Sequence, residues 1–527
     1  MRPIGQITST KGRGSLLVAA GILLSRIAGL IRLRVFSHYF GLASDAADAF
    51  YAAFRIPNFL QNLFGEGVLS ASFIPVYAGL LAKKDNESAN RVAGAVFAIL
   101  ALLTSVLALA GALAAPWLIV AIAPGFTGPK RDLTIQLVRI LFPGAAILVL
   151  SAWCLGILNS HRRFLLSYAA PVMWNAVMIA VLLAFGRQST LDQLAILLAW
   201  GSVLGGVLQF AIQLRPVLQL TRALRLRFSR SDESVNTVVR NFIPVFISRG
   251  VVQISAYIDT ILASPLPTGA VVALFNAQVL YTLPVSLFGM AVSAAELPAM
   301  SGIVAEGTDV ANYLRERLQK ALQDIAFWIV PSATAFLALG DIVAGTLLQT
   351  GRFTSADADY IWGILAGSAI GLLASTMGRL YSSTFYALKD ARTPLRFAIA
   401  RVSVATGLGA AAALYVPQAL GIPARWGAAG ITAASAIAAW IEYLLLRRAL
   451  EHRIGPSRLP LTAFFRLWSC ALPAALAALA AKRYLSAPWH PTVIGAIILG
   501  TFGIVYFGLA LVLRVPQTAA VLRRLRR

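Results

Sequence analysis

Charged residues are scarce in this chain of 527 residues: they make up 13% of the sequence, whereas 58% of the residues are hydrophobic. A soluble domain carries about 25% charged residues, so the composition excludes a soluble globular protein. Apolar stretches of about 20 residues recur along the whole length, as a hydrocarbon core about 30 Å thick requires. The sequence therefore predicts an all-α integral membrane protein.

Cysteine and histidine are also rare, with two and four copies. Cys154 and Cys470 both lie in apolar segments, which argues against a disulfide framework and predicts two buried thiols. The histidines are scattered, so we expect no metal site. The sequence contains no nucleophile–base arrangement, nucleotide motif or phosphate-binding glycine loop. We therefore expect no catalytic residues, no cofactor and no enzymatic activity.

The apolar stretches divide into about fourteen candidate membrane spans. They cover residues 16–40, 48–82, 92–123, 132–159, 164–186, 190–214, 237–264, 270–304, 313–338, 342–388, 394–416, 423–449, 463–481 and 490–513. Gly351, Arg352 and Phe353 split the tenth, whose crossing part is expected to begin near Asp357. The apolar run after the basic residues 1–13 is too long for the core of a signal peptide, so no cleaved signal is expected.

Acidic residues are fewer than basic residues, and the formal net charge is +24. When the loops are assigned alternately to the two sides, about 29 lysines and arginines lie on one side and about 7 on the other. The positive-inside rule makes the richer side cytoplasmic, with both termini inside. The charge then indicates topology and attraction to anionic lipid headgroups, and we expect no nucleic-acid partner.

The two halves of the chain resemble each other at a constant offset of 223 or 224 residues. The matching pairs are Ser25-Arg26 with Ser248-Arg249, Leu63-Phe64-Gly65 with Leu287-Phe288-Gly289, and Ile74-Pro75 with Leu297-Pro298. The repeat predicts two six-helix lobes, residues 1–220 and 237–455, joined by a basic linker, 221–236. Residues 456–527 add two helices and a basic tail. This is a transporter architecture, with the substrate held between the lobes near the midplane.

The first two spans carry polar residues that a lipid-facing helix would not keep. Arg26 and Arg32 lie inside the first span, where a central arginine costs about 2.5–3.5 kcal/mol. The second span carries a polar stripe within roughly 80° of one helix face. Its members are Asp48, Arg55, Asn58, Asn62 and Glu66. We expect the stripe to line a cavity; the alternative is a salt-bridge network that joins two helices.

Helix bends and a second polar group accompany this stripe. Pro57 and Pro75 should bend or break the second span. Arg249 in the seventh span and Gln278 in the eighth extend the predicted substrate site, with a packing contact between Arg249 and Glu296 as the alternative. Arginine binds phosphate bidentately, so a lipid with a phosphorylated headgroup is favoured over a cationic drug.

The sequence resembles the MurJ (MviN) lipid II flippases of the MOP exporter superfamily over nearly its whole length. The resemblance is carried by the motifs Leu24-Ser25-Arg26-Ile27-Ala28-Gly29-Leu30-Ile31-Arg32, Asp48-Ala49-Phe50, Phe54-Arg55-Ile56-Pro57-Asn58, Leu63-Phe64-Gly65-Glu66-Gly67, Phe73-Ile74-Pro75, Ile157-Leu158-Asn159-Ser160, Gly351-Arg352-Phe353-Thr354 and Phe385-Tyr386-Ala387-Leu388-Lys389-Asp390-Ala391-Arg392-Thr393-Pro394. It implies alternating access that moves an undecaprenyl-pyrophosphate-linked peptidoglycan precursor from the inner to the outer leaflet. It also implies cell-wall synthesis enzymes as further partners.

The chain departs from the family pattern at two arginine positions. Gln61-Asn62 stands where the second span usually has an arginine pair, and Ala277-Gln278-Val279 stands where the eighth usually reads Ala-Asp-Arg. Arg249 is the candidate substitute for the arginine missing at Val279. Two alternatives stay open: an exporter of another polyprenyl-linked glycolipid or small solute, and a scaffold for cell-wall synthesis that has lost transport.

Overall fold

The computed structural model describes residues 5–221, 233–306, 310–485 and 489–519. The described part consists of helices, turns and one isolated bridge between Thr350 and Phe353, and it contains no strand. The predicted all-α class is confirmed. The chain forms two compact units, Met1–Gly269 and Ala270–Arg527.

The described part of the first unit contains ten helices. They are α1 Gly5–Phe40, α2 Asp45–Phe64, α3 Glu66–Ser72, α4 Ile74–Ala82, α5 Asn86–Leu113, α6 Ala115–Ile122, α7 Gly128–Ser160, α8 Phe164–Phe185, α9 Leu191–Leu220 and α10 Glu233–Ala263. Helix α7 packs against α2, α5 and α9, and buried side chains follow most of its length. It is the central helix of this unit.

The second unit also contains ten helices within the described ranges. They are α11 Ala270–Pro284, α12 Ala291–Glu306, α13 Val310–Leu348, α14 Ser355–Ala369, α15 Leu372–Ala387, α16 Arg392–Leu414, α17 Val416–Ala419, α18 Gly427–Ile454, α19 Leu461–Tyr484 and α20 Pro491–Val512. A π-helical turn, Val285–Met290, joins α11 to α12, and a 3₁₀ turn, Ala424–Trp426, precedes α18. The long α13 packs against α14, α15, α19 and α20.

Each of the fourteen predicted spans coincides with a helix or a broken helix. By length and apolar composition, eleven helices of the described part could cross a membrane, or up to twelve if the bent pair α14–α15 is one span. The other two predicted spans coincide with α1 and α10, parts of whose side chains lie outside the described residues. A multi-span membrane protein is therefore established, and the number fourteen stays a prediction.

Local sequence explains where several helices begin. The Ser44 hydroxyl accepts a hydrogen bond from the Ala47 amide at the start of α2. Thr190 and Thr354 form capping boxes with Gln193 and Asp357. These side chains satisfy amide groups that the first helical turn leaves without partners.

The breaks in the second span agree with the proline-based prediction in part. Helix α2 continues through Pro57 without a break; the chain breaks at Gly65, which was not predicted, and again at Phe73, two residues before Pro75. A Cβ on Gly65 would lie 2.0 Å from the Gln61 carbonyl oxygen, so the backbone turns there because no side chain is present. The π-helical turn of the second unit contains the matching Leu287-Phe288-Gly289. Both halves are thus irregular at the repeated Leu-Phe-Gly motif.

Two hairpins show the internal repeat in their backbone geometry. The amides of His161, Arg162 and Arg163 bond back to carbonyls four, three and five residues earlier, and those of Leu388, Lys389 and Asp390 do the same. Arg162 and Lys389 adopt φ angles of 60° and 59°. A left-handed residue ending a helix in this way is usually glycine; in both hairpins it is basic, as it also is at Lys84 and Arg514.

Asp390 closes the second of these hairpins. Its carboxylate accepts hydrogen bonds from the Thr393 hydroxyl and amide, and it pairs with Arg453 at 2.6 Å. These bonds, with those from Thr393 the largest contribution, lower the pKa of Asp390 to about 2. The carboxylate therefore stays ionised in any neutral medium.

The predicted lobe boundaries stay a prediction. Helix α10, which sequence reasoning assigns to the second lobe, packs in this structure against α2, α3, α5 and α6. Cys154 and Cys470 are free and buried, as predicted.

Candidate functional site

Arg32 lies in an aromatic enclosure inside the first unit. Its guanidinium carbon is 4.6 Å from the Trp174 ring centroid and 5.8 Å from that of Phe54, and Nη1 donates to Met178 Sδ at 3.3 Å. The two rings stack on each other with centroids 5.7 Å apart. Stacking of this kind stabilises a cation away from water. A guanidinium held through its face presents its N–H edge to hydrogen-bond acceptors.

A small residue makes room for this enclosure. A Cβ on Gly205 of α9 would lie 2.9 Å from Trp174 Cδ1, so the glycine lets α8 and α9 approach closely. The Trp174 indole N–H donates to the Ser202 carbonyl oxygen at 3.0 Å. This bond fixes the plane of the ring against which Arg32 stacks.

Asp48 lies at the start of α2 and is 1% exposed. Its Oδ2 pairs with Lys130 Nζ at 2.8 Å and accepts the Gly269 amide at 2.8 Å. Lys130 also pairs with Asp45 at 3.0 Å, and Asp45 accepts the Thr268 hydroxyl at 2.8 Å. The cluster ties the beginnings of α2 and α7 to the loop after α10. Asp48 thus belongs to a salt-bridge network between helices, which was the alternative to a role in lining a cavity.

Lys130 is a partner that sequence reasoning missed. The sequence signal that could have identified Lys130 is weak: it is one of the few basic residues on the predicted outer side, two positions after Gly128 at the beginning of α7. Its amine also lies 4.4 Å from the Phe126 ring centroid.

Arg55 connects α2 to α10. Its Nη1 donates to the Thr260 hydroxyl, and the Tyr257 hydroxyl donates to the Arg55 carbonyl oxygen at 3.0 Å. Asp259 interacts with the guanidinium electrostatically. Arg55 therefore lies among polar groups of α10, apart from the enclosure of Arg32.

The remaining predicted residues of the first unit are spread along α1 and α2. Arg26 is exposed on α1 and Asn58 is half-buried. Asn62 is exposed and, with Gln61, lines a cavity of about 510 Å³ within this unit. The side chain of Glu66 lies outside the described residues. The predicted stripe is thus divided among three surroundings: the Lys130 cluster, α10 and the cavity.

The last two predicted site residues are Gln278, which lies on α11 of the second unit, and Arg249, which lies on α10 of the first unit. Gln278 is exposed and donates to the Thr282 hydroxyl at 3.1 Å. The side chain of Arg249 lies outside the described residues. Glu296, its alternative packing partner, pairs with Arg317, which also donates to the Tyr313 hydroxyl at 2.8 Å. Glu296 thus has an arginine partner from its own unit.

The chain matches known proteins over most of its length. A family model described as lipid II flippase MurJ matches residues 36–500. The chain belongs to the MurJ family. It is 32% identical over 450 residues to the probable lipid II flippase MurJ of Rhizobium tropici, covering 83% of this chain and 80% of that protein. It is 31% identical to the lipid II flippase MurJ of Burkholderia cenocepacia, covering 84% of each.

Solved structures agree on the fold of this MurJ-family chain. A lipid II flippase MurJ in an inward closed conformation matches with a TM-score of 0.73 and 21% identity, covering 93% of this chain and 99% of that one. An inward-facing multidrug resistance MATE family transporter of the MOP superfamily matches with a TM-score of 0.65 and 19% identity, covering 83% and 98%. The resemblance to the MurJ family and to the MOP superfamily fold is confirmed.

Proposed function

We propose that this protein moves lipid II, the lipid-linked peptidoglycan precursor, from the inner to the outer leaflet of the bacterial plasma membrane by alternating access. The observation that carries the proposal is the match to the MurJ family over residues 36–500, with relatives named as lipid II flippases. Transport of this kind breaks no covalent bond, so the protein acts as a transporter and not as an enzyme.

The polar residues of the first unit support this proposal. An arginine held at membrane depth through its ring-stacking faces suits a pyrophosphate group, because its N–H edge matches phosphate oxygens. We assign Arg26 and Arg32 to the phosphorylated part of the substrate. The other predicted members of the site are Asp48, Arg55, Asn58, Asn62, Glu66, Arg249 and Gln278.

The paired helix irregularities support alternating access. In transporters built from repeats, interrupted helices at corresponding positions of the two halves point to the substrate site. In this chain the interruptions fall at Gly65 and within Val285–Met290, at the same repeated motif. Such positions can absorb a change of backbone angle while the rest of each helix stays rigid.

The function is tested by rescue and by transport. Expression of this protein alone should restore growth to bacteria depleted of their own lipid II flippase. In vesicles, the purified protein should speed the loss of inner-leaflet lipid II. Absence of rescue, together with absence of transport in vesicles, would favour the scaffold alternative; transport of a different polyprenyl-linked glycolipid in place of lipid II would favour the exporter.

Topology gives a second prediction. With both termini cytoplasmic, cysteines placed at the exposed positions Thr127, Gln188 and Gln418 should react with a membrane-impermeant thiol reagent added outside intact cells. Cysteines at the exposed positions Asn86, Arg163 and His452 should react only after permeabilisation. The two native cysteines are buried and give a low background. The reverse pattern would overturn the orientation and the direction of transport.

A further inference from the structure

A polar cavity lies inside the first unit, beside the break in the second span. Its volume is about 510 Å³, within the roughly 300–1,000 Å³ of typical ligand pockets. Helices α2, α3, α7, α8 and α9 line it with Gln61, Asn62, Ser70, Leu148, Ser151, Ala152, Leu155, Ser167, Pro171, Gln209 and Gln213. Seven of these eleven residues are polar, which is unusual because ligand pockets are mostly apolar.

The walls of the cavity are ordered, because their polar side chains hydrogen-bond to one another. Gln209 Nε2 donates to the Ser151 hydroxyl oxygen at 2.9 Å, and that hydroxyl donates to Gln213 Oε1 at 2.5 Å. Gln213 Nε2 donates to the Ser167 carbonyl oxygen at 3.5 Å. All four residues are buried. The chain of hydrogen bonds links α7, α8 and α9 and holds the two glutamine side chains in place.

Ser167 adds an independent observation. Its side chain is fully buried, it lines the cavity, and its hydroxyl has no hydrogen-bond partner within the described part of the chain. A buried hydroxyl without a partner is unfavourable. Because the hydroxyl itself is buried, a bound group supplies the partner only when the Ser167 side chain rotates toward the cavity.

The lining residues indicate which kind of ligand the cavity can bind. None of the eleven residues is charged, so the walls offer a phosphate no guanidinium and a cation no carboxylate. Amides and hydroxyls each donate and accept hydrogen bonds. Such a wall is matched by an uncharged group that carries hydroxyl and amide functions, at the size of a sugar ring. The neutral Gln61 and Asn62, at a position where the family usually has two arginines, form part of this wall.

We propose that this cavity binds the uncharged sugar part of the lipid-linked substrate and so contributes to its selection. The assignment rests on the proposed function, because it takes that substrate as given. The sugar and the pyrophosphate are then bound by different groups: the sugar by the amides and hydroxyls of the cavity, the pyrophosphate by arginine.

The test compares two lipids that differ only in the sugar-bearing headgroup. Affinities of the purified full-length protein in nanodiscs are measured for lipid II and for undecaprenyl pyrophosphate. The variant combines Ser167→Ala with Gln209→Leu, which keeps the volume of both side chains close to the original. We expect its affinity for lipid II to fall at least about tenfold, equivalent to 1.4 kcal/mol, with its affinity for undecaprenyl pyrophosphate changed by less than about twofold.

Thr104→Val is the matched control, since Thr104 is a buried polar residue of α5 in the same unit whose hydroxyl donates to the Leu100 carbonyl oxygen of its own helix, and it does not line the cavity. It should leave both affinities unchanged. Unchanged lipid II affinity in the double variant, or an equal loss for both lipids, would overturn the assignment, and the first result would leave water as the occupant. Failure of the unmodified protein to bind either lipid would overturn the proposed function itself, before any variant is compared.

Discussion

Asp48→Ala should lower the free energy of unfolding by about 3–5 kcal/mol, as expected when one partner of a buried ion pair is removed. Asp48 is 1% exposed and accepts hydrogen bonds from both the Lys130 amine and the Gly269 amide. In the alanine variant the Gly269 amide loses its acceptor. The buried Lys130 ammonium loses the Asp48 carboxylate and keeps that of Asp45. The measurement is thermal or denaturant unfolding of the purified protein in detergent.

Asp45→Ala is the matched control for this prediction. Asp45 pairs with the same lysine at a similar distance, 3.0 Å, but its side chain is 58% exposed. An exposed pair contributes about 1 kcal/mol or less, so the control should change stability little. Asp48→Asn keeps an acceptor for Gly269 and should lie between the two. Equal effects of Asp48→Ala and Asp45→Ala would show that burial does not set the strength of these pairs.

Arg32→Ala should abolish rescue of flippase-depleted cells while the protein still accumulates in the membrane. The structural reason is the position of the guanidinium against Trp174 and Phe54, where the rings stabilise its charge and Nη1 donates to Met178 Sδ. In vesicles we expect lipid II transport to slow at least about tenfold, equivalent to 1.4 kcal/mol or more in the barrier. Membrane accumulation is measured by immunoblotting in the same cells.

Two further variants separate charge from packing at this position. Arg32→Met fills the aromatic enclosure without a charge, and Arg32→Lys keeps the charge without the planar stacking surface. If the charge binds substrate, Arg32→Met accumulates but does not rescue, whereas Arg32→Lys retains part of the transport. Full rescue by Arg32→Met would assign Arg32 to packing alone.

Much of the fold could be predicted from the sequence because its signals are local. An apolar stretch of about 20 residues predicts a span wherever it lies, since the bilayer sets its length. The Leu-Phe-Gly repeat predicted equivalent positions in the two halves, and both are irregular in the structure. The predicted break near Pro75 is present, but the break at Gly65 was not predicted: a proline within a helix removes one hydrogen bond, and α2 continues through Pro57, whereas Gly65 allows the backbone to turn.

The partners of the polar residues were decided only by tertiary structure. Helical periodicity placed Asp48, Arg55 and Asn62 on one face of the second span, but it cannot say which other helix that face meets at each level. Lys130 lies 82 residues from Asp48 and Thr260 lies 205 residues from Arg55.

The same holds for the aromatic enclosure and the cavity. Trp174 reaches Arg32 because Gly205 of a third helix leaves room for it, and the cavity collects ordinary serines and glutamines from separate helices. The sequence by itself determined that the chain crosses the membrane many times, repeats itself and carries arginines at membrane depth. Which side chains surround those arginines was decided by helix packing, because that depends on contacts between residues far apart in the chain.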